Sequence, residues 1–392
     1  MGSGFAPLAG LAYLPAPIYN SASGDGMSVQ KVYTSTRRTK GINGDVNGED
    51  ELIRRITRAI PSKIGRHEGV LRLGIGDDAA IVMPRGGAEW VLSCDAFLEG
   101  VHFLGKLHPP DSVGYKSLVR ATSDLAAMGA TPRLFLMTLA LPSSRTGDWL
   151  DGFLSGMGRA ARALGMQLAG GDTTKSRMVS ISITVLGEVV GAVLGPVLGK
   201  VAPGRAITRA GAHPGDLLYV SGRLGRAELG LELMRRGLGR EQALRPLLQQ
   251  HLYPQIRLKL GAWLAEHRIA SAMMDLSDGL STDLARLCRA SGVGARLRRD
   301  RIPQISISSA LSKRLGKPQL DPLKMALHGG DDYELLFTVP PHLAKSLRRA
   351  PGFSELTPVG EITTGKRILL VGDGGVATVL ESRGWDPFRK KS

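Results

Sequence analysis

Residues 90–95 read Trp90-Val91-Leu92-Ser93-Cys94-Asp95, an apolar run that ends on a carboxylate. A short run of this kind is typical of a buried β-strand. A helical pattern follows from Ser112 to Met128, with Leu118 and Leu125 on its apolar face and Ser112 as the predicted N-cap. A strand, a carboxylate and then a helix are the units of an α/β protein.

The same order recurs along the chain. The pattern predicts strands at 134–141, 166–169, 179–187 and 332–339, and helices at 147–164 and 280–290. Gly and Pro residues at close intervals indicate a connector at 189–203, and the composition of residues 1–48 indicates a disordered tail. We therefore predict an N-terminal domain at 49–188 and a C-terminal α/β domain at 204–392.

The composition narrows the class of protein. With 392 residues and 43% hydrophobic content, the chain is long enough for two cores. A net charge of +16 would suit a nucleic-acid-binding protein, because Lys and Arg neutralise phosphates. However, the basic residues are scattered, aromatic residues make up only 5%, and no zinc-finger spacing is present. Nucleic-acid binding is therefore kept only as an alternative.

Cysteine content and hydropathy bear on the compartment. Cys94 and Cys288 are the only cysteines, which excludes a disulfide framework and a four-cysteine metal site. No run approaches the roughly 18 apolar residues that a membrane-spanning helix needs. The first residues also lack the basic start of a secretion signal, since the first lysine is Lys31. We expect a cytoplasmic protein with no membrane partner.

Acidic side chains stand at several predicted strand ends and turns. They are Asp77-Asp78, Asp95, Asp124, Asp172, Asp275, Asp278 and Asp331-Asp332. A single Asp after Gly is commonly a turn former, but carboxylates gathered in one place repel each other and need cations. Hard oxygen ligands of this kind favour Mg²⁺, which also binds substrate phosphates.

Magnesium held by carboxylates is well suited to phosphoryl transfer, whose main requirement is positioning and cancellation of charge. The chain has neither a Walker loop nor the protein-kinase signature set, so a nucleotide would need another kind of site. Gly170-Gly171-Asp172-Thr173-Thr174 offers close backbone approach and hydroxyl donors for a phosphate, or forms a tight turn. Both interpretations stay open on the sequence alone.

Seven segments, taken in order, resemble the conserved blocks of the thiamine-monophosphate kinase family. They are Gly76–Ala80, Asp95–Phe103, Ser123–Ala130, Gly170–Thr174, Gly204–Gly211, Asp275–Leu280 and Gly329–Phe337. The resemblance runs from about residue 50 to Gly384-Trp385-Asp386. Each block alone is a weak signal, whereas seven in order are specific.

The resemblance implies a thiamine-phosphate kinase, which phosphorylates thiamine monophosphate with ATP to give thiamine diphosphate. It also implies the fold of aminoimidazole ribonucleotide synthetase, an α/β (α+β) architecture of two domains. In that fold the N-terminal sheets of two subunits pair in a homodimer, and the C-terminal domain holds a mixed sheet with helices. ATP is then a co-substrate, and several Mg²⁺ ions are expected.

The resemblance also implies roles for individual residues. The metal ligands would be Asp78, Ser93, Cys94, Asp95, Asp124, Asp172, Asp275 and Asp278. ATP would contact Gly171, Asp172, Arg209 and Ser277, and thiamine monophosphate would contact His102, Asp331 and Trp385. No catalytic general base is expected, because the acceptor phosphate oxygen is already ionised near neutral pH. Two positions depart from the family pattern, since Asp331 stands where Glu is usual and Cys94 where Thr is common.

The sequence leaves one alternative within the same fold. Aminoimidazole ribonucleotide synthetase, selenophosphate synthetase and the hydrogenase-maturation type use ATP on other acceptors. The segments Asp275–Gly279 and Gly329–Leu336 favour the kinase. No reactive Cys or Lys occurs in a glycine-rich N-terminal loop, as selenophosphate synthesis would want.

Overall fold

The computed structural model describes residues 71–73, 77–82, 89–189, 206–316 and 319–388. The predicted tail at 1–48 lies outside the described residues, and so does the predicted connector at 189–203 except for Val189. Two mixed sheets, each covered by helices, form the part that is described.

The first sheet has six strands in the order β1-β2-β3-β6-β4-β5. They are β1 (Leu71–Leu73), β2 (Ala80–Val82), β3 (Glu89–Leu98), β4 (Thr131–Leu141), β5 (Gln167–Lys175) and β6 (Ser180–Val189). All neighbours pair antiparallel except β4 and β5, which are parallel. Helices α1 (Pro110–Ala127) and α2 (Asp148–Leu164) cover one face, where their apolar side chains join the core of β6.

The second sheet has seven strands in the order β13-β12-β9-β11-β7-β10-β8. Its strands are β7 (Leu217–Val220), β8 (Ala272–Asp275), β9 (Gly294–Arg298), β10 (Leu335–Val339), β11 (Thr357–Thr363), β12 (Ile368–Val371) and β13 (Ala377–Val379). Its helices are α3 (Arg226–Arg235), α4 (Arg245–Leu252), α5 (Leu258–Glu266), α6 (Leu280–Ser291), α7 (Ser309–Leu315) and α8 (Pro322–His328). Only β9 and β12 pair in parallel.

The two halves pack directly against each other along α1 and α5. A Cβ placed on Gly261 of α5 would lie 2.1 Å from the carbonyl oxygen of Ala126 in α1, so only glycine allows this approach. Ala126 and Ala127 share a buried apolar cluster with Leu260 and Leu264. The end of α1 is therefore fixed against the second domain.

The predicted helix cap at Ser112 is wrong. Helix α1 begins at Pro110, whose fixed φ suits the first helical turn and which has no N–H to satisfy. Ser112 lies inside that turn, and its Oγ donates a hydrogen bond to the Pro109 carbonyl. The predicted helices at 147–164 and 280–290 are confirmed to within one residue at each end.

Candidate functional site

A cavity of about 1620 Å³ opens between the two sheets and is lined by both halves of the chain. Asp78, Asp95 and Asp124 reach it from the first half, and Asp278 and Asp331 from the second. Of the predicted site residues, the cavity walls also include Ser93, Cys94, His102, Arg209, Ser277 and Trp385. Most of the residues singled out by the sequence are therefore brought together.

Three carboxylates form the centre of the site, two of them buried and that of Asp124 partly exposed. Asp78 follows β1, Asp124 lies in the last turns of α1, and Asp275 ends β8. One oxygen of each lies within 4.8 Å of the others. Their hydrogen-bond donors include hydroxyl groups, since Ser93 donates to Asp124 and Ser123 donates to Asp275 at 2.6 Å.

These carboxyl groups are poorly suited to carry charge by themselves. Burial and the neighbouring charge of Asp78 raise the pKa of Asp275 to about 7. Burial, followed by the charges of Asp275, Asp95 and Asp78, raises the pKa of Asp124 well above its ordinary value. A cation between the carboxylates would remove this penalty, because opposite charge at 4–6 Å favours the ionised form.

Three arginines face the carboxylates that surround this cluster. Arg209 donates to both oxygens of Asp78, from Nε at 3.1 Å and from Nη2 at 2.8 Å. Nε of Arg120 lies 3.0 Å from Asp95. Nη1 of Arg286 in α6 lies 2.5 Å from Oδ2 of Asp278 and 3.1 Å from Oδ1 of the buried Asp283. The rim therefore carries fixed cations as well as anions.

His102 and Trp385 stand at the cavity wall beside this cluster. The backbone N–H of Leu98 donates to Nδ1 of His102 at 3.0 Å, which leaves the proton of the neutral ring on Nε2. Burial and the charge of Arg120 lower the pKa of His102 to about 4, so the ring is neutral at physiological pH. The backbone N–H of Trp385 donates to the carbonyl of Asp278 at 3.0 Å, and its indole remains 45% exposed.

Asp331 differs from the other acidic residues because its charge is compensated within the protein. Nζ of Lys116, which is 1% exposed, lies 2.7 Å from Oδ2, and the hydroxyl of Tyr333 donates to Oδ1 at 2.6 Å. Burial alone would raise the pKa of Asp331, but the charges of Lys116 and Arg120, with the hydrogen bond from Lys116, outweigh it and hold that pKa well below its usual range. Asp331 is therefore an ionised partner of a buried lysine.

Asp331 and Tyr333 adopt left-handed backbone conformations, with φ of 66° and 51°. The carbonyls of Ser277 and Leu276 accept hydrogen bonds from their backbone N–H groups. The predicted strand at 332–339 therefore begins only at Leu335, because residues 330–334 bend around the segment that carries Asp278.

A pair of histidines lies in the wall near Lys116. Nε2 of His108 and Nε2 of His251 are 2.9 Å apart, so one ring donates and the other accepts. Burial and the charge of Lys116 lower the pKa of His108 to about 4 and that of His251 well below its ordinary value. Both rings are neutral, and burial lowers the pKa of the neighbouring Lys116, although its ion pair with Asp331 opposes that shift.

Gly171 and Asp172 are not with the cluster. They lie within strand β5 rather than in a tight turn, and all nine residues of that strand are exposed. Register partners run from Asp172 through Thr138 and Ser182 to Ala96, beside Asp95. Three strand spacings place Asp172 about 14 Å from that end of β3.

Cys94 also points away from the carboxylates. Its Sγ lies 3.5 Å from Oγ of Ser182, on the less buried face of the first sheet. Successive side chains of a strand point to opposite faces, so Ser93 and Asp95 face α1 and Cys94 does not.

Sequence reasoning missed Lys116, Arg120, Arg286 and the histidine pair. Lys116 and Arg120 stand four residues apart on α1, a spacing that places both on one side of the helix. That spacing was the available signal, yet a basic residue every turn is also usual for a solvated helix face. Lys116 and Asp331 are 215 residues apart, so no local pattern connects them.

Both halves of the chain match known family models. Residues 76–190 match the family model for the AIR synthase related protein, N-terminal domain, and residues 213–373 match that for its C-terminal domain. The structure of hydrogenase maturation protein HypE in complex with ATP has a TM-score of 0.59 at 20% identity, covering 79% of this chain and 89% of HypE. That likeness shows the shared fold. Among the described residues no helix is long and apolar enough to cross a membrane.

Two relatives are nearer to this chain. The thiamine-monophosphate kinase of Salmonella typhimurium is 36% identical over 319 residues, covering 80% of this chain and 91% of the relative. The solved structure of AaThiL complexed with AMPPCP and TMP has a TM-score of 0.72 at 31% identity, covering 87% of this chain and 97% of AaThiL. With that coverage, and with the carboxylate cluster in place between two such domains, the chain belongs to the thiamine-monophosphate kinase family.

Proposed function

We propose that this chain transfers the terminal phosphoryl group of ATP to thiamine monophosphate, forming thiamine diphosphate and ADP. One observation carries the proposal. Asp78 and Asp124, which cluster with Asp275, line a cavity that is also lined by His102 and Trp385. The same cavity therefore offers a place for charged phosphates beside a place for an organic ring.

The three clustered carboxylates would hold Mg²⁺. They offer hard oxygen ligands within 4.8 Å of one another, and burial raises the pKa values of Asp124 and Asp275, which supports a compensating cation at this place. Asp95 and Asp278 stand at the edge of the cluster as further ligands. When bound, the metal would cancel negative charge on the two phosphate-bearing substrates.

Arg209 and Ser277 would hold the polyphosphate of ATP. Arg209 is fixed by two hydrogen bonds to Asp78, which aims its guanidinium group at the cavity. Its charge therefore lies beside the site where phosphate oxygens would gather. Ser277 lines the same cavity next to Asp278.

His102 and Trp385 would hold the acceptor. His102 is neutral and keeps a proton on Nε2, so it donates a hydrogen bond to a phosphate oxygen without acting as a base. The half-exposed indole of Trp385 offers a face on which a cationic ring can stack.

The transfer step needs no proton acceptor. A phosphate oxygen of thiamine monophosphate forms a bond to the γ-phosphorus of ATP, and the bond from that phosphorus to the β–γ bridging oxygen breaks. The electron pair of the broken bond leaves with ADP. Because the attacking oxygen is already ionised, the role of the residues is to align two anions and screen their repulsion.

We further propose that the enzyme is a cytoplasmic homodimer in which a second copy supplies Gly171 and Asp172. Asp172 lies about 14 Å along the sheet from the Asp95 end of β3 in its own chain. Strand β5 is exposed along its whole length, and Leu168 within it and Leu136 on the neighbouring β4 are 56% and 41% exposed. A partner sheet packed there would bury these leucines and bring Asp172 to the other subunit's site.

The test is a reaction of purified protein with ATP, Mg²⁺ and thiamine monophosphate, followed by separation of the thiamine phosphates. Thiamine diphosphate should form with an equal amount of ADP, and EDTA should stop both. ATP binding with no diphosphate formed would reject the proposed acceptor and direct attention to the other acceptors of this fold. Sedimentation of the same sample tests the dimer separately.

A further inference from the structure

A further acidic residue, Glu228 of α3, faces the same cavity and has no partner among the described residues. Glu228 lines the cavity together with His328, Trp385 and Asp331. Within the part of the chain that the structure describes, its carboxyl group forms no hydrogen bond and no ion pair. A partly buried acidic group with no partner is costly unless a ligand satisfies it.

The backbone fixes where this side chain lies. A Cβ placed on Gly329 would be 2.8 Å from Cβ of Glu228 and 3.3 Å from its Cγ, so the stem of Glu228 packs against the loop that carries Asp331. The N-terminus of α3 is held to the same loop, because Asp332 accepts hydrogen bonds from the N–H groups of Gly225 and Ala227. Packing therefore fixes the aliphatic stem of Glu228, whereas no contact within the described residues fixes its carboxyl group.

The charges around Glu228 leave its carboxyl group free to bind a cation from a ligand. Burial raises the pKa of Glu228, Arg235 opposes this, and Glu232 and Asp331 add to it. Arg235 itself lies 3.3 Å from Glu232, so its charge is shared with another acid. Asp331, in contrast, already uses both oxygens on Lys116 and Tyr333.

The acceptor phosphate in the proposed reaction is attached to an organic cation. Thiamine monophosphate contains a thiazolium ring and an aminopyrimidine that donates hydrogen bonds, and a carboxylate suits both. ATP carries no such cation. An unpartnered carboxylate that lines the same cavity as Trp385 therefore favours the acceptor over the donor.

We propose that Glu228 is the specificity-determining residue that binds the cationic organic end of the acceptor, while Asp331 keeps Lys116 neutralised in the wall. The proposal rests on the proposed function. It deepens that function by assigning the recognition of the base to a residue outside the seven family-like segments.

The test compares Glu228→Gln with the wild type in steady-state assays that vary thiamine monophosphate and ATP in turn. Loss of a charge-assisted contact should raise the KM for thiamine monophosphate about tenfold. The KM for ATP and kcat should stay within about twofold. Glu228→Asp keeps the charge on a side chain that is shorter by one methylene. Its KM for thiamine monophosphate should therefore lie between those of the wild type and Glu228→Gln.

Two controls separate recognition from a general effect. Glu361→Gln removes the same charge from β11, where Glu361 pairs with Arg296 at 2.9 Å outside the cavity wall, and should change neither KM. Phenyl phosphate is an acceptor mimic with no cationic ring. Its inhibition constant against the wild type and against Glu228→Gln should agree within about twofold.

An unchanged KM for thiamine monophosphate in Glu228→Gln would overturn the inference while leaving the kinase intact. Equal rises in both KM values would overturn it as well, since they would indicate a disturbed fold. Calorimetric binding of thiamine monophosphate to each variant, with ATP absent, gives an independent readout. Failure of the wild type both to bind thiamine monophosphate and to phosphorylate it would overturn the proposed function, and this inference with it.

Discussion

The site holds two kinds of acidic residue that the sequence does not distinguish. Asp124 and Asp275 have serine hydroxyls as donors and lie close to other carboxylates, which raises the pKa of each. Asp331 has a buried lysine and a tyrosine hydroxyl, and its pKa is lowered. The first kind requires a cation from outside the protein, whereas the second supplies its own. Their difference predicts which substitutions affect turnover and which affect folding.

The largest effect is expected where a carboxylate has no internal cation. Asp124→Asn removes one charged ligand from the cluster, so turnover should fall by about 1000-fold or more. The free energy of unfolding in EDTA should stay within about 1 kcal/mol of the wild type, because the amide replaces an acid whose charge is disfavoured there. Full turnover in this variant would show that the cluster is not the metal site.

The opposite pattern is expected for the compensated acid. Lys116→Met leaves Asp331, whose side chain is 31% exposed, without its cation, so the free energy of unfolding should fall by about 1–3 kcal/mol in urea denaturation. Arg296→Met breaks an exposed pair with Glu361 and should cost less than about 1 kcal/mol. Equal losses in the two variants would mean that the Lys116–Asp331 pair stabilises the fold no more than an exposed ion pair does.

The pH dependence of stability sharpens the contrast. In EDTA, Asp275 has a folded-state pKa of about 7, above its unfolded value, so the folded state binds the extra proton. The free energy of unfolding should therefore fall by about 2 kcal/mol as the pH rises from 5 to 7. Asp331 acts in the opposite sense and only under more acidic conditions, because its pKa is lowered. Excess Mg²⁺ should flatten the curve, and a flat curve in EDTA would contradict the raised pKa.

The smallest effect is expected at Cys94. Its thiol faces Ser182 on the far side of β3 from the carboxylates, so Cys94→Ser should keep kcat and both KM values within about twofold. Ser93→Ala, one residue earlier, removes the hydroxyl that donates to Asp124 and should lower kcat more. Equal effects at the two positions would show that the strand does not separate their faces.

Sequence reasoning reached the fold and much of the site because both depend on local order. The sequence alone reveals the apolar run before Asp95 and the helix at 280–290 directly after Asp278, because both are local patterns. Lys116 escaped it because its partner is 215 residues away. The bend at Asp331 and Tyr333 escaped it because left-handed φ at non-glycine residues follows from hydrogen bonds to Ser277 and Leu276.

The contact between Gly261 and Ala126 sets a limit on which parts of the protein can change. Asp124 lies two residues before Ala126, so the same stretch of α1 that carries a cluster carboxylate is held against α5 with no room for even a methyl group. A side chain at position 261 would touch no substrate, yet it would push α1 away and open the spacing between Asp124 and Asp275. A glycine outside the cavity therefore restricts which mutations this enzyme can tolerate, and a search for essential residues confined to the cavity wall would overlook it.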